Sequence, residues 1–208
     1  MNKTKLRWCD QYREQVKRNA RVNLASHTVV AKHREGDECR RWCCSQNGSS
    51  KYAFTVLAVP GWLIMFGDMG ECMWSRTYDM IDFARNAIRD IRYFSEKVSR
   101  DVCIRDGKSE LVLEWIKETP EEWEQCYGEP MSKKNKSKFA ELCKWWTQNG
   151  CDQGIEEFRR EIYESGLYEY DCEAIPSFQF YKYHYLWKVE ALVWFIEQLD
   201  GIKTEVEA

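Results

Sequence analysis

The sequence predicts an α+β fold, an antiparallel β-meander of about four to five strands packed against several α-helices, and three observations carry that prediction. Residues 27–76 hold short β-branched and aromatic runs broken at close intervals by turn residues. Beyond Arg76 the apolar period lengthens to that of helices and stays so to Asp200. The 208 residues are enough to bury one core, so a single domain over 1–208 is expected. Within it, 1–26 is the N-terminal helix, 27–76 the meander, and 77–208 a helical half with a loop at 128–138.

Taken in order, Leu6, Trp8, Tyr12, Val16, Ala20 and Leu24 recur at helical spacing among charges, which gives an amphipathic first helix with a basic exposed side. HTVVAKHR (27–34) and ECRRWCCSQ (38–46) read as two strands around Glu35-Gly36-Asp37. Asn47-Gly48 is the next turn, because both residues tolerate positive φ. Tyr52–Val59 and Trp62–Phe66 are strands divided by Pro60-Gly61, where proline presets φ and glycine accepts the positive angle of a type II turn. A fifth strand, Glu71–Arg76, follows the turn Gly67-Asp68-Met69-Gly70. Short loops throughout make the meander the economical topology.

Thr77 then reads as an N-cap with Asp79 in the first turn of a helix running to Arg89, continued by Ile91–Val98. Further helices are expected at 109–117, 120–127, 137–148, 153–165 and 183–199, with glycines near their ends. The last of these, HYLWKVEALVWFIEQLD, is apolar nearly all round, so it should be buried on several sides.

The net charge of −3 excludes a generally basic nucleic-acid binder and is too small for a chain that imitates DNA by wholesale negative charge. Charge is uneven nonetheless. Residues 3–21 carry Lys3, Lys5, Arg7, Arg13, Lys17, Arg18 and Arg21, whereas 110–124 carry Glu110, Glu114, Glu118, Glu121, Glu122 and Glu124. Such patches can serve partners. Ten cysteines would suit disulfides in a secreted chain. The opening MNKTKLRWCDQYREQVKRNA is polar and helical rather than leader-like, however, so a reducing cytoplasm is expected. No apolar run approaches the ~20 residues that span a bilayer, and no membrane association is expected.

For chemistry, Asp68 between two glycines suits a general base, a metal ligand or a turn-former, and the last is favoured because Asp readily bonds its own turn backbone. Together with Glu71, Arg76, Asp79, Asp82, Glu96 and Lys97 it makes one candidate polar cluster. Carboxylates plus lysine resemble the makings of a metal-dependent nuclease, but an Asp-then-Glu-x-Lys pattern on adjacent strands is lacking, and ion pairing that anchors helix to sheet is favoured. Cys39, Cys43, Cys44 and His33 lack the paired C-x-x-C knuckles of a zinc site and read as reduced, core or half-buried thiols. His27, His33 and His184 lie too far apart for a triad to be inferred, and no Gly-x-Ser-x-Gly elbow exists; His184 reads as partly buried. Lys133, Lys134, Lys136 and Lys138 are candidate nucleic-acid contacts on the 128–138 loop. No catalytic residue, metal site or cofactor is assigned.

Pro60-Gly61, Gly67-Asp68-Met69-Gly70, Trp74-Ser75-Arg76, Asp79-Met80 and Tyr93-Phe94-Ser95-Glu96-Lys97 form a series of short motifs. His27 precedes them, and an aromatic helix ending at Asp200 closes the chain. In that series the chain resembles an uncharacterised family of bacteriophage- and prophage-encoded proteins. The resemblance implies an accessory protein of the anti-defence or anti-CRISPR type, acting in the host bacterial cytoplasm, and brings no catalytic residue with it. The expected function is therefore binding and inhibition of a host or bacterial-defence protein. The alternative is a nucleic-acid-binding protein or metal-dependent nuclease.

Overall fold

The computed structural model describes residues 8–99, 103–151, 154–168 and 177–206. The part of the first helix expected over residues 4–7, with Lys3, Lys5 and Arg7, lies outside them. By backbone proximity the chain divides into two compact units, residues 10–104 with 181–208, and residues 105–180 with 1–9.

The first unit is a five-stranded antiparallel sheet and its helices. Strands β1 (Thr28–Ala31), β2 (Arg40–Gln46), β3 (Ser49–Val59), β4 (Trp62–Gly67) and β5 (Cys72–Ser75) lie side by side in chain order, as the closely spaced turns predict. Gly48 and Gly61 take φ of +74° and +83°, as their turns were read, whereas Asn47, also read as suited to positive φ, does not take it. Alternation sends Trp42, Cys44, Phe54, Val56, Ala58, Leu63, Met65, Cys72 and Trp74 to a buried inner face. The register places Trp42, Val56, Met65 and Cys72 in one row across four strands.

Against that face runs α7 (Tyr183–Val206), and Tyr185–Leu192 and Trp194–Ile196 are buried without interruption, so the helix is enclosed on every side as its composition predicts. Trp187 and Trp194 meet Phe54 edge-on, and Phe195 meets Trp42. Around it pack α1 (Trp8–Leu24), α2 (Met80–Ala87) and α3 (Ile91–Ser95). The basic side of α1 is not simply exposed. Arg21 forms a two-bond pair with Glu197, and buried Glu190 is raised by burial while Arg13, Lys17 and Arg21 pull it down.

Helix α2 opens one residue pair later than expected. Asp79, not Thr77, is the N-cap, its carboxylate accepting the Ile81 and Asp82 N–H groups at 2.9 and 3.1 Å, while the Thr77 hydroxyl turns to the Asp79 carbonyl. Beyond α3, Ser75 and Ser99 N–H groups bond Lys97 and Met73 carbonyls, so residues 97–99 line the outer edge of β5.

The second unit holds α4 (Ser109–Tyr127), α5 (Lys133–Asn149), α6 (Ile155–Ser165) and a two-stranded ribbon of β6 (Arg105–Gly107) and β7 (Gln179–Tyr181), whose last residue falls in the first unit. Its core gathers Trp115, Trp146, Phe158 and Phe178 with Val112, Leu142 and Ile162. Two expectations need correction. Pro120 does not divide α4, because Pro120 removes only one N–H and the Thr119 hydroxyl bonds the Trp115 carbonyl at 2.6 Å in the same turn. Nor is 133–138 a loop: Ser132 caps α5 by accepting the Asn135 N–H, and the lysine run forms its first turns.

Gly67 faces Phe54 across the β3–β4 pair, and a Cβ there would sit 2.2 Å from the Ala53 carbonyl oxygen and 2.6 Å from the Phe54 Cα. Gly67→Ala is therefore expected to lower stability by about 2–3 kcal/mol, seen as a reduced urea midpoint at unchanged slope. Gly48→Ala meets open space and is strained only by its φ of +74°, so it should lose about 1 kcal/mol.

Candidate functional site

The Gly-Asp turn is spent on architecture. Gly70 N–H bonds the Gly67 carbonyl at 2.9 Å with Gly70 at φ +79°, and the Asp68 carboxylate accepts the Tyr52 N–H at 2.8 Å. Tyr52 needs that partner, since it holds φ +56°, where a side chain is strained, and its ring stacks on Trp187. Asp68 is thus a turn-former that also pins the start of β3. Beside it, buried Lys188 of α7 donates to the Glu71 carbonyl at 2.8 Å. Burial lowers the Lys188 ammonium against the opposing charges of Cys72 and Glu71, and burial pushes the Cys72 thiol up to about 11 against the pull of Lys188. Sequence reading passed over Lys188. Lys188, set with Glu190 in an otherwise apolar stretch of helix, was the available signal.

The other members of the predicted polar cluster are distributed over separate contacts. Asp79 accepts from Arg40 at 2.8 Å while it caps α2. Burial alone would raise the Asp79 carboxyl, but the Arg40 hydrogen bond, the Asp82 and Ile81 N–H groups and the Arg40 charge outweigh it and hold it below its ordinary value. This pair borders a shallow cleft of about 280 Å³ with Pro60, Tyr78 and Glu38, where the Tyr78 hydroxyl donates to Glu38 at 2.7 Å. Asp82 lies 3.7 Å from Arg85, whose guanidinium also holds Asp200 at 2.9 Å. Glu96 and Lys97 pair at 3.6 Å, with the Lys97 ammonium 4.4 Å from the Tyr93 ring centre. Arg76 is exposed. Of the seven, only Glu96 and Lys97 pair with each other side chain to side chain.

In the second unit, the acidic patch resolves into a lined cleft. Glu114, Glu118 and Glu122 fall at four-residue intervals on α4 and so share one face. They border a cleft of about 310 Å³ with Trp115, Phe178 and Gln179. Glu114 accepts the Trp8 N–H at 3.1 Å. The lysine run is split in use: Lys138 donates to the Gly166 carbonyl at 2.8 Å, tying α5 to the end of α6, while Lys133, Lys134 and Lys136 are exposed.

Among the described residues no group of three His, Cys, Asp or Glu side chains is placed to hold a metal ion. Cys39 is exposed, Cys43 half-buried and Cys44 buried, its thiol raised by burial. His27 is buried, with Nε2 3.2 Å from the Lys51 carbonyl, and His33 Nδ1 lies 2.9 Å from that of Arg41. His184, read as partly buried, is exposed. No described helix is long and apolar enough to cross a membrane. Comparison with protein-family models, with curated proteins and with solved structures finds no match to this chain.

Asp79→Asn removes the charge that Arg40 and the cap hold, and should destabilise the protein by about 1 kcal/mol at pH 7. The sign follows from the lowered carboxyl. Its contribution is complete above the unfolded value near 3.8 and fades as pH falls toward the lower folded value. Denaturant midpoints of the two proteins should therefore converge as pH falls through the lowered folded value.

Proposed function

We propose that this is a phage accessory protein that binds and inhibits a host or bacterial-defence protein, in the manner of anti-CRISPR and other anti-defence proteins, within the infected cell. The observation that carries this reading is the cleft on α4, with Glu114, Glu118 and Glu122 along one side and Trp115 and Phe178 among its lining. A basic segment is complementary in charge to these carboxylates. Lysine or arginine stems can lie on the aromatic rings while their heads reach the carboxylates. Defence proteins that act on DNA or RNA carry such basic surfaces, because phosphate binding requires them. An acidic cleft laid on one would exclude the nucleic acid.

A second reading, direct contact with nucleic acid, is favoured by one observation. Lys133, Lys134 and Lys136 stand exposed in the first turns of α5, where the helix dipole disfavours cations. Phosphate contact would offset that cost. Fluorescence anisotropy with single- and double-stranded oligonucleotides tests it, and affinity independent of salt, or none, removes it.

For the main reading, purified protein is titrated into a nucleic-acid-targeting defence effector and into an Arg/Lys-rich peptide at rising salt. Binding should weaken with salt, and Glu118→Lys combined with Glu122→Lys should weaken it at least tenfold, about 1.4 kcal/mol. The same variant should lose the ability to protect phage from that effector. Wild-type protein that neither binds nor protects against any such system overturns the proposal.

A further inference from the structure

The outward face of the five-stranded sheet is poorly suited to water. Alternation that buries Trp42, Phe54, Val56, Leu63 and Met65 sends Cys43, Leu57, Val59, Trp62, Ile64, Phe66 and Met73 the other way. An antiparallel sheet with one wet face normally carries polar residues there. Here the register aligns Leu57, Ile64 and Met73 in one row, Val30, Cys43, Thr55 and Phe66 in a second, and Val59 beside Trp62 in a third. Val30, Trp62 and Phe66 are each at least 40% exposed, and no residue on this face is fully buried. The charged side chains of these rows stand at their ends: Arg41 with the hydrogen-bonded Lys32 beyond Leu57, and Lys97 beyond Ser75 in the Trp62 row.

We propose that this face is where a second copy of the chain docks, sheet on sheet about a two-fold axis. Two properties select a second copy over an unlike partner. Homodimer interfaces are more apolar than the rest of the surface, whereas transient contacts between unlike proteins match ordinary surface and are rimmed with charge. A face whose charges lie at its margins can also be laid on itself without opposing like charges at the centre, as two-fold symmetry demands. Area sets the strength. Four strands ~4.8 Å apart and five residues at ~3.3 Å each give a footprint of roughly 300 Å² per copy. With side-chain relief two copies bury on the order of 1,000 Å², the lower limit for a specific interface. The dimer is therefore reversible, with a dissociation constant on the order of 10 μM. This surface belongs to the first unit and the acidic cleft to the second, so the inference does not depend on the proposed partner.

Sedimentation velocity of the full chain from about 1 to 200 μM, a span bracketing that constant, tests the proposal. The sedimentation coefficient is expected to rise from monomer to dimer across that range. Phe66→Lys and Trp62→Lys, both at exposed positions, should each weaken association at least tenfold with unchanged far-UV circular dichroism, and Tyr163→Lys, exposed in the second unit, should leave it unchanged. A measurement on the unmodified protein covers the case in which the variants misfold. Alkylation of Cys43, mapped by mass spectrometry, should slow several-fold between the monomeric and dimeric concentrations, while that of exposed Cys151 should not. A monomer at every concentration, a dimer indifferent to Phe66→Lys and Trp62→Lys, or Cys43 alkylation independent of concentration would each overturn it.

Discussion

Enclosure of α7 is the constraint on which the first unit depends. A helix that is apolar on all sides has no face it can show to water, so every neighbour must supply cover. The sheet supplies one side through Trp42 and Phe54, and α1, α2 and α3 supply the rest. Trp187 and Phe195 are wholly buried, and each contributes on the order of 2 kcal/mol by removal of apolar surface from water.

The polar groups follow from that enclosure. Lys188 and Glu190 sit on the same helix and are nearly inaccessible, so each requires a partner where it emerges. Lys188 finds the Glu71 carbonyl at the Gly-Asp turn, and Glu190 finds the basic residues of α1. Rim pairs then fix the helices: Arg21 with Glu197 holds α1, Arg85 with Asp200 holds α2, and Ser95 with the Tyr185 hydroxyl at 2.8 Å holds α3. These contacts orient elements whose packing energy is hydrophobic, since exposed ion pairs add little on their own.

Local chemistry made much of this legible in the sequence. Pro60-Gly61 and Asn47-Gly48 announced their turns because a glycine at positive φ is a requirement of a few bonds' extent. The apolar girth of α7 announced its burial for the same reason. What escaped depended on distant partners. Asp68 was read as a turn-former, but the group it holds, the Tyr52 N–H sixteen positions earlier, lies outside its own turn. Asp79 displaced Thr77 as the cap because Arg40 steadies its carboxylate from another strand. Helix α4 runs through Pro120, and α5 begins among lysines that composition suggests are loop. The ribbon strands of three residues each are too short to carry a period. Of the candidate cluster, Asp79 pairs with Arg40 thirty-nine positions earlier, a partner beyond any local pattern, whereas Glu96, Lys97 and Tyr93 are close neighbours in sequence. The acidic stripe on α4 was visible as charge, whereas its aromatic lining by Phe178 was not.

The order of elements along the chain has a cost during synthesis. The sheet is complete at Ser75, yet the helix that covers its inner face begins at Tyr183. At roughly 5–20 residues per second, a ribosome needs on the order of 5–20 s to reach that helix, far longer than hairpins take to form. Throughout that interval a nascent meander displays apolar side chains on both faces.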